Sequence, residues 1–535
     1  MAVTQLTAVQ AAAWIKDGQS VMLGGFIGSV VPESIMKALG QRFEHEKSPS
    51  DLTLIFAAGQ GDGQGRAADH LAIPGMVKRV IGGHWGLVPG LQKLALQNEI
   101  EAYNLPQGVI SHLLRDTAAG KPGTLTTTGL GTYIDPRLEG GKINAITHED
   151  LVSVVALEGE EYLLYKRLPV DVAILRGTTA DTHGNITMED ECLIAENLAT
   201  AQAAKNQGGQ VIVQVKRIVP AGTLDPHAIK IPGIFVDAVV LCEDESEHMQ
   251  TFATQFDPAF VGRATAREQQ ETVSYPAQSE PDAKTLIARR AAMVLAPGSV
   301  LNLGIGVPEY IAVVAGEQGM LDRLTLTVEP GAIGGLPASG LDFGACRNPQ
   351  AIITQDQMFD FYDGGGIDQA FLGLAQCSAM GDINVSRFGD RLPGCGGFVN
   401  ISQHAKSVYF CGTFTADGLA VEVHDGQLHI KQEGRQIKFV EQVEQITFSA
   451  RRAIQMRQPV RYMTERAVFR LEPEGLVLEE IAPGIDLERD ILAKMAFMPI
   501  IDPNLSLMPA DIFSSAFSLP ILQNRRLVNE DCEAS

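Results

Sequence analysis

The sequence predicts an α/β protein of two homologous domains, each with a mainly parallel sheet covered by helices. Three observations predict it. The chain has 535 residues, 45% hydrophobic and 20% charged, which is too long for one ordinary core and suits two sizeable domains. Apolar, β-branched runs alternate with helical stretches, the pattern of parallel strands joined by helical crossovers. Four paired segments recur in the same order in the two halves, an internal duplication.

The first pair is Ser20 to Glu33 with Ser299 to Glu309: an apolar run, a Gly-rich turn, then Pro-Glu opening an amphipathic stretch. Each reads as strand, loop and helix. The second, Asp51 to Gly59 with Arg323 to Gly331, aligns without a gap and sets Ala57 opposite Glu329. The third sets Asp171 and Gly184 against Asp368 and Gly381, thirteen steps apart in both halves. The fourth, Gln210 to Val215 with Ser407 to Gly412, is two β-rich runs that gain weight from their place in the order. The predicted division is an N-terminal domain over 1–262, a linker over 263–281, a C-terminal domain over 282–520 and a tail over 521–535. The linker is polar, Pro-containing and poor in aliphatics, and a helix capped by Asp282 follows it.

A net charge of −22 opposes binding to a nucleic-acid backbone or an anionic membrane surface. The longest apolar stretches, around Asp237 and Pro297, are interrupted well before the roughly 20 residues that span a bilayer. The N-terminus lacks the basic and apolar segments of a signal peptide and reads as a first helix, so the expected compartment is the cytoplasm. Seven scattered cysteines without CxxC or Cys/His spacing predict free thiols and no metal site.

The segment Thr325 to Pro337 carries the chemistry. It puts a lone carboxylate, Glu329, where an apolar strand enters a loop containing Gly331, Gly334 and Gly335. Those glycines permit positive φ and close approach, while Pro330 and Pro337 stiffen the loop. Since the matching position holds Ala57, the scaffold does not need a charge there, and Glu329 reads as functional.

This segment resembles the active-site signature of family I CoA transferases, in which a glutamate in a Glu-x-Gly-x-x-Gly-Gly-type loop becomes acylated. Further segments are similar: Gln60 within Ala57 to Gly63, Tyr103 to Gly108, Asn302 to Glu309, Phe361 to Asp368 and Gly394 to Ile401. They are most similar to the acetate/propionate CoA-transferase branch and extend from about Val3 to about Phe513. The resemblance implies a CoA-transferase-like fold, with half-domains fused that other members carry on separate subunits. It implies CoA transfer between short-chain acyl-CoA and carboxylic acids through a glutamyl-CoA thioester on Glu329. Gln60 and the amides of Gly396 and Gly397 would stabilise oxyanions; read from the residues alone, Gln60 equally suits loop hydrogen bonding and the two glycines a bare turn. CoA, as substrate and covalent adduct rather than a tightly bound cofactor, would contact Gly304, Ile305, Gly306, Val307 and Pro308, with Lys406 as an additional contact. The first domain's Gly-rich loop would cover Glu329, and the assembly would be a homotetramer.

Other readings compete. An acyl-CoA hydrolase on the same scaffold would pass the acyl group to water. A non-catalytic α/β sensor would share the glycine loops but have no use for Glu329. His84, with no partnered Ser, Cys or acid in sequence, reads as a packed side chain, and Asp363 and Glu309 read as turn and helix-start residues. Gly304-Ile-Gly306 fails the Gly-x-Gly-x-x-Gly pattern, because Glu309 stands at the last position.

Overall fold

A computed structural model describes residues 2–264 and 281–519. The described residues form two compact units. The first holds residues up to 264 together with Thr327–Gly364 and Ser386–Gln403, and the second holds the remainder.

In the first unit, eight strands form one wholly parallel sheet. Its spatial order is Thr4–Leu6, Ala238–Leu241, Gln210–Val215, Val172–Arg176, Ser20–Leu23, Leu52–Phe56, Val77–Gly82, Glu101–Asn104. Alternation along the strands feeds two cores. Val21, Leu23, Leu54 and Phe56 pack on one face with Ile35, Met36 and Leu39 of helix Glu33–Glu46. Met22 and Ile55 pack on the other with Val109, Ile110 and Leu113 of helix Gln107–Ala118 and with Ala199 and Ala203 of helix Asn197–Asn206. Burial on both faces explains why these strands read as unbroken apolar runs.

In the second unit, Val300–Leu303, Gln369–Gly373, Ser407–Cys411 and Val460–Met463 run parallel side by side. An antiparallel meander of Ala467–Glu472 and Gly475–Ile481 extends them. Phe371 stacks on Tyr409 with centroids 4.8 Å apart. Asp282 caps helix Ala283–Ala292, its carboxylate accepting from Thr285 N at 2.8 Å.

The duplication has a physical signature. Asp171 Oδ2 accepts from Ser20 N at 2.8 Å, and Asp368 Oδ2 accepts from Val300 N at 2.8 Å. One carboxylate thus pins the start of the equivalent strand in each unit. Gly184 and Gly381, thirteen residues on, both lie at positive φ (87° and 93°). The three repeat strands keep one order: Ser20–Leu23 beside Val172–Arg176 beside Gln210–Val215, and Val300–Leu303 beside Gln369–Gly373 beside Ser407–Cys411.

The units nonetheless divide the chain differently from the 1–262 and 282–520 division. Thr327–Gly364 and Ser386–Gln403, which the sequence reading assigned to the second half, belong to the first unit. Gly83 O accepts from Gly396 N at 2.7 Å and Pro393 O from Trp85 N at 2.6 Å. Cys395 and Val399 lie in the same core as Ile81 and Val109. Apart from Arg263, Ala264 and Pro281, the predicted linker lies outside the described residues, as does the tail. Among the described residues, no helix is long and apolar enough to cross a membrane. No cluster of His, Cys, Asp or Glu among them could hold a metal ion.

Candidate active site

Glu329 stands at the tip of a tight turn. Val328 and Thr327 pair antiparallel with Ala332 and Ile333, and Gly331 N donates to Val328 O at 3.0 Å to close the turn. Gly331 is required, with φ at 124° and a Cβ there meeting Ile353 O at 2.0 Å. The Glu329 side chain is half-buried. A Cβ on Gly397 would lie 3.6 Å from Glu329 Cγ, so the carboxylate-bearing side chain runs alongside the Gly396–Gly397 turn. Cys346 is buried nearby, and both burial and the Glu329 charge push its thiol up. It is an inert neighbour.

The turn from Gly394 to Gly397 is nailed down amide by amide. Gly394 N donates to Ser386 O at 3.0 Å, Cys395 N to Asn104 Oδ1 at 2.9 Å, and Gly396 N to Gly83 O at 2.7 Å. Gly396 O accepts from Gln107 N at 3.0 Å. The buried Gly397 amide has no acceptor among the described residues. Of the two nominated glycine amides, Gly396 has its hydrogen committed to Gly83 O, whereas that of Gly397 is uncommitted among the described residues.

Gln60 needs a similar correction. Its side chain is fully buried in the loop after strand Leu52–Phe56, and Nε2 donates to Leu23 O at 2.6 Å and more weakly to Gly25 O at 3.4 Å. Oε1 has no partner. With both donor hydrogens facing carbonyls of the neighbouring strand end, Gln60 offers an acceptor, not an oxyanion donor. Gln60→Ala is therefore expected to lower the melting temperature, by losing about 1 kcal/mol of hydrogen bonding, while kcat stays within about threefold of wild type. A normal melting temperature with a hundredfold lower kcat would restore the catalytic reading.

His84 packs between these elements. A Cβ on Gly59 would meet its Nδ1 at 2.2 Å, and one on Gly396 would lie 3.8 Å from its Cδ2. Burial depresses its pKa to about 4, so it is neutral in the physiological range. Asp363 accepts both contacts of Asn400 Nδ2 at 3.0 Å, a structural task. Burial raises the Glu309 carboxyl against the opposing Gly306 amide and Lys284.

Asn104 was missed. It is 1% exposed and ends strand Glu101–Asn104. Its Nδ2 donates to Gly82 O (2.9 Å) and Gly83 O (2.7 Å), while Oδ1 accepts from Cys395 N and the Tyr133 hydroxyl. The available signal was a polar residue closing a short strand, immediately before Leu105-Pro106.

In the second unit, Gly304–Pro308 follows strand Val300–Leu303 and leads into helix Glu309–Glu317. Ile305 and Gly306 are exposed, and Gly306 has φ at 85°. Lys406 does not join them. It precedes strand Ser407–Cys411 and pairs with Asp368 at 2.8 Å, at the amino end of the parallel strands. The loop leaves the carboxyl end, so a strand length of roughly 13 Å or more separates the two.

Similarity to known proteins puts this fold among the coenzyme A transferases. A family profile described as "Coenzyme A transferase" matches residues 5–241. Caffeate CoA-transferase of Acetobacterium woodii is 44% identical over 514 residues, covering 95% of this chain and 97% of that one. Acetate CoA-transferase YdiF of Escherichia coli O157:H7 is 41% identical over 519 residues, covering 96% of each chain. The crystal structure of Acyl-CoA transferase (YdiF) from E. coli O157:H7 as a thioester complex with CoA superposes with a TM-score of 0.90 at 40% identity, over 97% of this chain and 98% of that one. The chain belongs to the family I coenzyme A transferases, and it is a CoA-transferring enzyme.

Proposed function

We propose that the enzyme moves CoA between short-chain acyl-CoA and carboxylic acids, acetate and propionate among them, by a ping-pong mechanism with Glu329 as nucleophile. The observation that carries the reading is Glu329 at a rigid turn tip, alongside the unspent amide of Gly397. A Glu329 carboxylate oxygen attacks the thioester carbonyl, the C–S bond breaks, and CoA leaves as thiolate, giving an acyl-glutamyl anhydride. The thiolate then attacks the glutamyl carbonyl, releasing the first acid and leaving a glutamyl-CoA thioester. An incoming carboxylate reverses both steps. Each addition places negative charge on a carbonyl oxygen, which in this reading the Gly397 amide receives, a contribution on the order of 3 kcal/mol. No proton transfer is needed, which fits the neutral, packed state of His84.

CoA contacts in this reading come from Gly304–Pro308, where exposed backbone and the following helix N-terminus suit an anionic or polar ligand. The reading also takes the enzyme as a cytoplasmic homotetramer that binds neither nucleic acid nor membrane, with light scattering as the check on assembly. An acceptor panel containing acetate, propionate and caffeate tests the reaction. Parallel double-reciprocal lines and transfer to a short-chain acid faster than CoA release in its absence are expected. Faster release to water than transfer to any acid would instead identify a hydrolase.

A further inference from the structure

A buried polar chain runs from the Gly396–Gly397 turn into the middle of the first unit. Gln107, whose backbone holds Gly396 O, places its side-chain Oε1 3.7 Å from where a Gly396 Cβ would be. Gln107 Nε2 donates to Gln355 Oε1 at 3.1 Å. Gln355 Nε2 donates in turn to Ser111 Oγ at 2.8 Å and to Glu196 Oε2 at 2.9 Å. Ser111 Oγ closes the circuit by donating to Gln107 O at 3.0 Å. None of the four is more than 2% exposed. Both Gln355 amide hydrogens are spent, so its carbonyl must face Gln107, and the orientation of the Gln107 amide follows.

We infer that Glu196 and Gln355 are positioning residues for CoA transfer, orienting Gln107 and thereby holding the Gly396–Gly397 turn against Glu329. Nothing in the proposed chemistry uses Glu196, yet it terminates this chain, and its Oε1 is buried without a partner. No Lys, Arg or His among the described residues pairs with it. Burial chiefly, with the Asp356 charge adding, pushes its carboxyl up to about 8. Burial therefore favours the protonated form of Glu196 at neutral pH. Ionisation would place an unpaired charge in the core and pull the Gln355 amide toward it, loosening the grip on Gln107.

The surrounding charged groups set the rest of the pH response. From helix Gln355–Asp363 come Asp356, Asp360 and Asp363, and from helix Gln107–Ala118 come His112, Arg115 and Asp116. Asp360 is held at about 2, first by its bond to His112 and then by Arg115 against burial. Burial lowers His112, but its acidic partners Asp360 and Asp363 outweigh it and raise the ring. On the side of Asn197, Arg176 and His248 hold Glu191 at about 2 in spite of burial. His84, beside Gly396, stays neutral. His112, raised by these acidic partners, is a second titratable group beside the chain, so the test must assign any alkaline limb to Glu196 directly.

The inference rests on the proposed role of Glu329, and its test is separable from that role. Kinetics of wild type, Glu196→Gln and Glu196→Ala are measured from pH 6.5 to 9.5, alongside trapping of the CoA adduct. Wild-type kcat is expected to fall about tenfold per pH unit above about 8 with KM for CoA unchanged. Glu196→Gln, neutral at every pH, should keep wild-type kcat at pH 7 and lose that limb. Glu196→Ala should lower kcat about tenfold at pH 7. An unchanged alkaline limb in Glu196→Gln, or wild-type kcat in Glu196→Ala at pH 7, would overturn the inference; should the alanine variant not fold, the glutamine variant decides alone. Adduct formation in Glu196→Gln shows the Glu329 chemistry intact whichever way the inference falls.

Discussion

Glu329→Ala should lose CoA transfer by at least about 10⁴-fold while the protein remains folded. In the proposed mechanism the side chain forms the bond that carries CoA, so neither binding energy nor the Gly397 amide can substitute for it. Folding is expected to survive because the turn is made by backbone: Gly331 N closes it onto Val328 O, and Ile353 N bonds Gly331 O at 2.9 Å. The equivalent position of the first repeat already carries a fully buried methyl, Ala57. Removing a half-buried terminal carboxylate from such a turn should change stability by about 0.5 kcal/mol. Kinetics and a thermal melt on one preparation check both halves. Activity within tenfold of wild type would remove Glu329 from the mechanism, and an unfolded variant would show the turn to depend on the carboxylate.

Asn104→Ala should produce the largest stability loss of any single substitution at the site, about 3 kcal/mol, together with a kcat loss of tenfold or more. Asn104 serves two donors and two acceptors with one buried amide, and truncation strands Cys395 N, the Tyr133 hydroxyl and part of the Gly82 and Gly83 carbonyl bonding. Burying several unpaired polar groups is costly because no water replaces the lost partner. The activity effect follows from position. The bond from Cys395 N is one of those that hold the turn before Gly397, so the turn should become mobile where the proposed mechanism needs it rigid. Asn104→Asp provides a second arm, since it keeps the acceptor but turns a carboxylate oxygen toward two carbonyls, and should be equally damaging. A melting temperature within about 1 °C of wild type in both variants, on the order of 0.7 kcal/mol for a unit of this size, would mean the hub is not holding the turn.

The duplication is what singles out Glu329 in the sequence. A repeat supplies an internal control, and Ala57 opposite Glu329 shows which side chain the scaffold can do without. Parallel sheets were legible for a related reason: strands buried on both faces read as continuous apolar runs, and the matched Asp171 and Asp368 begin equivalent strands. The grouping of Thr327–Gly364 and Ser386–Gln403 with the first unit was not legible, because periodicity reports what a segment is and not which body it packs on. Lys406 entered as a contact through the family resemblance, and its position just before strand Ser407–Cys411 sets it at the amino end of the parallel strands. Gln60 and Gly396 have the chemistry of oxyanion donors, and only the hydrogen-bond partners show those donors spent. Glu196 sits at the start of an unremarkable alanine-rich helix, and its environment comes from Gln355, 159 residues away.

Saturating the enzyme with acyl-CoA in the absence of any acceptor acid, then measuring intact mass and mapping peptides, tests the account most directly. The thiolate should recapture the anhydride before water enters, leaving one CoA per chain as a thioester on the peptide containing Val328, Glu329 and Pro330. That peptide unmodified under conditions of measured turnover, or the CoA mass found on a different residue, would contradict the central claim that Glu329 carries CoA between the two acids.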